Sequence, residues 1–173
     1  MASDTKNVKL GPCSVYYKPK DGVETDLGYT KGGVEVTVET STHEVNVDQF
    51  GETPINELIM SRSITVSVPL AETTLDNLVL IMPGAKKESN AVTVTTAVGT
   101  SLLDIAGTLR LRPQGNIDAS EDLTIFKAAT PGGINFSYQV DEERVFTAEF
   151  KGYPDSTNGN QLFAMGDIGS GGA

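Results

Sequence analysis

The chain has 173 residues, a formal net charge of −10 and an isoelectric point near 4.5. Its length suits a single domain with a substantial core. The 13 Lys and Arg residues are scattered along the chain, which argues against a nucleic-acid-binding surface, since such a surface needs clustered cations to neutralise phosphates.

The N-terminal residues 1–9 are polar and predict a flexible arm. They lack the apolar segment of a secretory signal peptide, so we expect a soluble protein made in the cytoplasm. A first strand is predicted over residues 11–18. It contains Cys13, which we interpret as a packing residue. One cysteine cannot form an intramolecular disulfide, which fits a reducing compartment.

After a turn over residues 19–23, the pair Gly32-Gly33 suits a tight hairpin turn that needs positive φ. Two strictly alternating segments follow, residues 34–40 and 61–68, and each predicts a strand with one apolar and one polar face. The apolar sides hold Val34, Val36, Val38, Ile64, Val66 and Val68. The polar sides hold Glu35, Thr37, Glu39, Ser61, Ser63, Thr65 and Ser67. Residues 41–60 between them are interpreted as a long excursion.

The one convincing helix is predicted over residues 71–82. Its apolar residues recur at helical spacing and form a stripe that should lie on a sheet, namely Leu75, Leu78, Val79 and Met82. Pro83-Gly84 ends the helix. The longest fully apolar run, residues 78–82, is too short to span a bilayer, so no membrane association is expected.

Further strands are predicted over residues 91–98, 102–111 (with a kink at Gly107), 123–129, 135–140 and 145–153. The predicted fold is therefore mainly β: an antiparallel sandwich or barrel with one flanking helix. We assign residues 10–157 to one domain and expect the Gly-rich residues 158–173 to form a flexible tail.

Catalytic and metal-binding patterns are weak. His43, the single histidine, lies in a polar alternating stretch typical of a surface residue. Asp21, Glu24 and Asp26 match no calcium loop and are interpreted as solvated turn residues. Glu35 and Glu39 lie on one strand face without an aromatic platform for a sugar. We therefore expect no enzyme activity, no metal and no cofactor.

The polar strand faces leave two interpretations open. Their side chains are short or acidic, whereas an exposed sheet face usually carries long charged and aromatic residues. They could form an ordinary solvated face. They could also form a smooth anionic wall that lines a space without binding its contents.

Five segments, taken together and in this order, resemble the tail tube (major tail) proteins of long-tailed bacteriophages. The resemblance spans about residues 10 to 155. The segments are DLGYTKGGVEV (26–36), DQFGETPI (48–55), LAETTLDNLVLIMPGA (70–85), LLDIAGTLRLRP (102–113) and ERVFTAEFKGYPD (143–155).

The resemblance implies a fold shared with the hemolysin-coregulated tube protein of type VI secretion, and a structural virion protein located in the tail. Subunits of that family form hexameric rings that stack into a tube, each contributing a sheet to a β-barrel around the channel. Genomic DNA passes through without specific binding. The implied partners are further copies of the chain and the tail tape measure, tail terminator and tail tip or baseplate proteins. Assembly would take place in the host cytoplasm.

Carried over by position, the resemblance makes residues 34–48 and 59–68 the inner-sheet strands. Glu35, Thr37, Glu39, Ser61, Ser63, Thr65 and Ser67 would face the lumen, and the valines and Ile64 would face the subunit core. Residues 43–58 would form the ring-stacking loop, with Phe50 and Ile55 as apolar anchors. The segment that we assign to this contact comprises Val47, Asp48, Gln49, Phe50, Gly51, Thr53, Pro54 and Ile55. Residues 1–9 would add a second inter-ring contact.

Two alternatives stay open at this point. One is the tube of a type VI or bacteriocin-like injection machine, which the sequence hardly distinguishes from a phage tail tube. The other is a monomeric β-sandwich binding module. Such a module would carry an aromatic cluster on a loop or face, whereas the 5 Tyr and 6 Phe here lie largely at apolar strand positions.

Overall fold

The computed structural model describes residues 11–115 and 118–169. Strands hold 46% of the residues and helices 9%, which confirms the mainly-β prediction. The predicted N-terminal arm, residues 1–9, lies outside the described residues, as do the last four residues of the predicted tail.

One antiparallel sheet organises the fold. Its strand order is β2-β1-β7-β8-β9-β4-β3, and β10 pairs with β8 beside the end of β9. The strands are β1 (Cys13–Lys18), β2 (Thr25–Asp26), β3 (Glu35–Asn46), β4 (Pro54–Leu70), β7 (Gly107–Pro113), β8 (Leu123–Ala129), β9 (Phe146–Tyr153) and β10 (Phe163–Met165). A separate hairpin joins β5 (Ala85–Glu88) to β6 (Ala91–Val94), and the helices are α1 (Leu75–Ile81) and α2 (Leu102–Ile105).

The sheet curls around a single core. Tyr17 on β1 and Phe150 on β9 have ring centroids 5.2 Å apart although β7 and β8 lie between their strands. In a flat sheet, three strand spacings would separate them by about 14 Å. Beyond β2 the chain also bridges to β4, where Thr30 pairs with Leu70. Both halves of the sheet therefore enclose one interior, which agrees with the predicted sandwich or barrel.

The prediction of a long excursion over residues 41–60 is wrong, because the connection between the two strands is much shorter. β3 continues to Asn46 and β4 begins at Pro54, so only residues 47–53, with a 3-10 turn at Asp48–Phe50, separate the two strands. The predicted stacking loop, residues 43–58, is therefore mostly a β-hairpin. Register shifts between Ser41 and Thr42 and between Val45 and Asn46 interrupt the alternation, which hid these strands in the sequence.

The predicted helix is shorter than expected and rotated. α1 begins after Thr74, whose side chain accepts a hydrogen bond from the Asn77 backbone amide at 3.2 Å. Its buried residues are Asn77 and Ile81. Among the four residues of the predicted stripe, Leu78 packs against the core, Val79 and Met82 are half-buried and Leu75 is 39% exposed.

Several predicted strand boundaries change. The strand predicted over residues 91–98 ends at Val94, and no strand was predicted at its partner β5. Residues 102–105 form α2, capped by the Ser101 hydroxyl, instead of strand. Residues 135–140 are irregular, although Phe136 still contacts Phe146 at a centroid distance of 5.0 Å. Phe163–Met165, assigned to the flexible tail, forms β10.

Gly107 is the first residue of β7, and a side chain at this position would collide with the main chain of β1. A Cβ atom at this position would lie 2.1 Å from the Lys18 carbonyl oxygen. The kink predicted at this glycine is a register shift in the pairing of β7 with β8. Gly32 and Gly33 both have positive φ, as predicted, but β2 pairs with β1, so their turn leads into β3 without closing a β2–β3 hairpin.

Candidate functional site

The predicted polar residues lie together on one face of β3 and β4. The register pairs Glu35 with Ser67, Thr37 with Thr65, and Glu39 with Ser63. Ser41 pairs with Ser61 and extends the same face by one step. All seven predicted residues are therefore neighbours, and they are exposed or half-buried.

β9 adds a third strand to this face, which the sequence analysis did not anticipate. Ser67 pairs with Glu149, and Thr65 pairs with Lys151. Because strand side chains alternate, Thr147, Glu149 and Lys151 point away from the core residues Phe146, Ala148 and Phe150. The sequence showed that these residues alternate with apolar ones, but it did not show that β9 pairs with β4. We call the eleven residues the polar face: Glu35, Thr37, Glu39, Ser41, Ser61, Ser63, Thr65, Ser67, Thr147, Glu149 and Lys151.

Lys151 adds a base to a face that the sequence predicted to carry only short or acidic side chains. Its Nζ atom lies 3.6 Å from Glu149 Oε1, and both side chains are about half exposed. Glu35 and Glu39 form no ion pair within the described residues. The polar face therefore keeps an excess of negative charge.

The opposite side of the same strands faces the core, with a gap at the sheet edge. Ile64, Val66 and Val68 on β4 are buried, as predicted. On β3, Val36 and Val38 lie opposite Val66 and Ile64 of β4. They are nevertheless 38% and 44% exposed, because β3 is the last strand of the sheet. Part of the apolar layer, at Val36 and Val38, is therefore not fully covered by the rest of the subunit.

β3 and β4 continue past the part of the sheet where β9 pairs with β4, and there they project as a two-stranded ribbon. We call residues 40–63 the arm, since β9 pairs with β4 only from Thr65 onward. Nine residue steps from Pro54 to Ser63 give the arm a length of about 30 Å. It carries five exposed large apolar side chains: Phe50, Ile55, Leu58, Ile59 and Met60. Of the predicted stacking segment, Val47 is half-buried and the other residues, Asp48, Gln49, Phe50, Gly51, Thr53, Pro54 and Ile55, are exposed.

Such an arm is unusual for a protein that acts alone. A two-stranded ribbon is only marginally stable in water, and exposed apolar residues on an unpaired ribbon mark an interaction site or an aggregation hazard. The arm and the polar face are therefore the two candidate functional surfaces of the subunit.

Comparison with protein-family models and with curated proteins gave no match.

The groups that could suggest catalysis lie apart. Cys13 is half-buried on β1, and burial raises the pKa of its thiol, which is the opposite of what a nucleophile needs. His43 is exposed on the arm opposite Leu58. Within residues 11–115 and 118–169, no group of three or more His, Cys, Asp or Glu residues could hold a metal ion. In the same ranges, no helix is long and apolar enough to cross a membrane.

A charged cavity of about 250 Å³ beside β7 is an alternative candidate site. Asp122 is 1% exposed and accepts hydrogen bonds from Arg112 Nε at 2.9 Å and Arg112 Nη2 at 2.7 Å. Arg110 contacts the same carboxylate at 3.4 Å and also binds Glu24. The hydrogen bonds that Arg112 donates to Asp122 raise the pKa of Arg112. Because the arginines and acids neutralise one another, we assign the cluster to holding the 118–122 turn against β7.

Proposed function

We propose that this chain is a structural protein of a bacteriophage tail tube, and that it polymerises as stacked hexameric rings around a channel for DNA. The observation that carries the proposal is the register of β3, β4 and β9. This register gathers short and acidic side chains on one continuous face, backed by a buried apolar layer.

The polar face has the chemistry of a channel wall for DNA. DNA carries one negative charge per about 1.7 Å of its axis, so a wall with excess glutamate repels its phosphates. Ser and Thr side chains are too short to obstruct a moving strand. The lone cation, Lys151, lies beside Glu149, which limits its attraction for phosphate. Low friction requires an absence of binding, and the short side chains and excess glutamate of this face support that role.

The open edge of β3 supports assembly from many copies. β3 ends the sheet, so one row of its backbone groups has no strand partner among the described residues. Val36 and Val38 beside that edge are only partly covered. A strand from a neighbouring copy would pair with the edge and cover both valines, and a closed ring of copies would leave no edge exposed.

The arm supports stacking of rings. Its length of about 30 Å exceeds what the subunit itself can cover, and its exposed apolar residues need a partner. In the proposed tube, the arm reaches the adjacent ring, with Phe50 and Ile55 as contacts.

Negative-stain electron microscopy of the purified protein tests the proposal. Concentrated protein, alone or with tail-tip components, should form stacked rings or long hollow tubes. Protein that stays monomeric in both conditions would contradict the proposal and favour the monomeric binding module. Tubes from a gene flanked by type VI or bacteriocin genes would instead assign the chain to that class of injection machine.

A further inference from the structure

A second strand edge is partly open on the side of the polar face that lies away from β3. β9 pairs with β4 along residues 146–151, but it pairs with β8 only along residues 151–153. Residues 146–150 therefore have no strand on their other side in the part of the chain that the structure describes. The three strands of the polar face thus end in an open edge at β3 and a partly open edge at β9.

The segment that connects β8 to β9 has the side-chain pattern of a strand. Residues 134–140, which we call the alternating segment, alternate strictly between an apolar row and a polar row. The apolar row is Ile134, Phe136, Tyr138 and Val140, and the polar row is Asn135, Ser137 and Gln139. Aromatic and β-branched residues at every second position favour a strand, although this segment is irregular in the subunit.

The alternating segment has no strand partner of its own. Within residues 11–115 and 118–169, its backbone groups make no hydrogen bond to other backbone groups. Phe136 and Tyr138 are 40% and 80% exposed, and Val140 is fully exposed. Free backbone groups next to an exposed apolar row indicate a surface that pairs with another chain.

The two rows of the alternating segment already lie on the two sides of the sheet. Phe136 contacts the buried Phe146 of β9 with 5.0 Å between ring centroids, which places the apolar row on the core side. Asn135 and Ser137 line an open cavity of about 490 Å³ together with Thr147 of the polar face. The polar row is therefore on the same side as the polar face.

The open edge of β3 offers matching rows. Its core side carries Val36 and Val38, which are only partly covered, and its other side belongs to the polar face. A strand formed by the alternating segment would place Phe136 and Tyr138 beside the two valines, a pairing of aromatic with β-branched residues that stabilises sheets. Its polar row would extend the polar face with uncharged side chains and would add no cation to it.

We propose that the alternating segment of one copy pairs, as a strand, with the open edge of β3 of a second copy. This pairing rests on the proposed tube function and identifies the strand that fills the open edge. β3 lies beyond β4, whereas the alternating segment lies on the β9 side, so each copy offers one edge and one segment. A head-to-tail contact of this kind closes into a ring when its rotation allows, and the polar face then continues from copy to copy.

Matched valine substitutions test the pairing. Val140→Asp should raise the protein concentration needed for tube formation by about tenfold or more, because a carboxylate would enter the apolar row that the contact buries. Val98→Asp is the control, since it makes the same change at a valine that is 90% exposed outside the alternating segment. It should assemble like wild type. Sedimentation and electron microscopy measure the assembled fraction across a concentration series.

Hydrogen exchange followed by mass spectrometry locates the contact. In the monomer, the amides of residues 134–140 should exchange rapidly, because they donate no backbone hydrogen bond within the described ranges. In wild-type tubes, these amides and the outward amides of residues 35–39 should exchange about a hundredfold more slowly or less. Tubes of Val98→Asp should show the same protection.

Wild-type tubes combined with an unaffected Val140→Asp variant, or with unprotected residues 134–140, would overturn the pairing and leave the tube intact. Protection of residues 134–140 without protection at β3 would also overturn it, because the segment would then pair with its own β9. An equal loss of assembly in Val98→Asp would remove the specificity that the pairing requires. Wild-type protein that forms no tubes would overturn the proposed function and the pairing together.

Discussion

Glu35 on β3 lies directly opposite Ser67 on β4, and Ser67 lies opposite Glu149 on β9. A slip of one residue in this register would turn Val36 and Val66 onto the polar face, since strand side chains alternate. The register thus separates a polar face from an apolar one across three strands.

Reversing charge on the polar face should impair DNA passage without preventing assembly. Glu35 and Glu39 are exposed and their side chains make no ion pair in the described ranges, so replacing both with lysine should leave the subunit folded. Virions with Glu35→Lys and Glu39→Lys should build tubes but eject DNA poorly, because a cationic wall attracts phosphate. Ejection assays measure the defect.

The matched control makes the same total charge change elsewhere, with Asp21→Lys and Glu142→Lys on exposed residues outside the polar face. These virions should eject DNA normally. Normal infectivity of the Glu35 and Glu39 double variant would remove the lumen assignment.

The arm should matter for assembly and little for folding. Phe50 is 64% exposed at the 3-10 turn, so Phe50→Asp should change the free energy of unfolding by less than about 0.5 kcal/mol. It should nevertheless block tube formation, because a carboxylate would replace an apolar contact. Val23→Asp, at an apolar residue that is 80% exposed on another turn, is the control. Undisturbed tubes from Phe50→Asp would place the stacking contact elsewhere.

Gly152 is a packing requirement inside β9. A Cβ atom at this position would lie 2.4 Å from Ile64 Cγ2 and 3.1 Å from Ile125 Cγ2. Gly152→Ala should therefore overpack the core and lower the free energy of unfolding by about 1–3 kcal/mol. Denaturant titration measures this change. Gly133→Ala, where no atom lies within 4 Å of the added carbon, should be nearly neutral. Equal effects of the two changes would contradict the packing described for β9.

The ion pair of Glu143 with Lys31 should make the stability of the folded protein depend on pH. Glu143 accepts a hydrogen bond from Lys31, which lowers the pKa of its carboxyl below the ordinary value of 4.5. Because the folded-state pKa is the lower one, this contribution is complete above pH 4.5 and is lost as the pH falls through the folded-state value.

Glu143→Gln removes this contribution. The variant should therefore be less stable than wild type near neutral pH, and the difference should shrink in strong acid. Urea titrations at both pH values measure it, and Glu142→Gln on the adjacent exposed residue is the control. A difference between wild type and Glu143→Gln that stays constant across this range would exclude the proposed linkage.

The sequence predicted the elements in which one periodicity runs without interruption. Residues 61–68 alternate between apolar and polar side chains, and residues 123–129 are largely apolar. Both segments are strands in the structure. The arm was mistaken for a loop because the register shifts beside Ser41 and Val45 break its alternation. β10 has only three residues and pairs with β8 through a contact distant in sequence, so no local pattern could reveal it. The place of Glu149 and Lys151 on the polar face likewise depended on knowing that β9 neighbours β4.

The most direct test of the central claim is an electron cryomicroscopy reconstruction of tubes grown from the purified protein. The proposed function predicts a hollow tube whose channel wall is formed by the polar face, with Glu35, Ser67 and Glu149 pointing inward and the apolar layer behind them. A tube with the polar face on its outer surface, or a polymer without a channel, would contradict it.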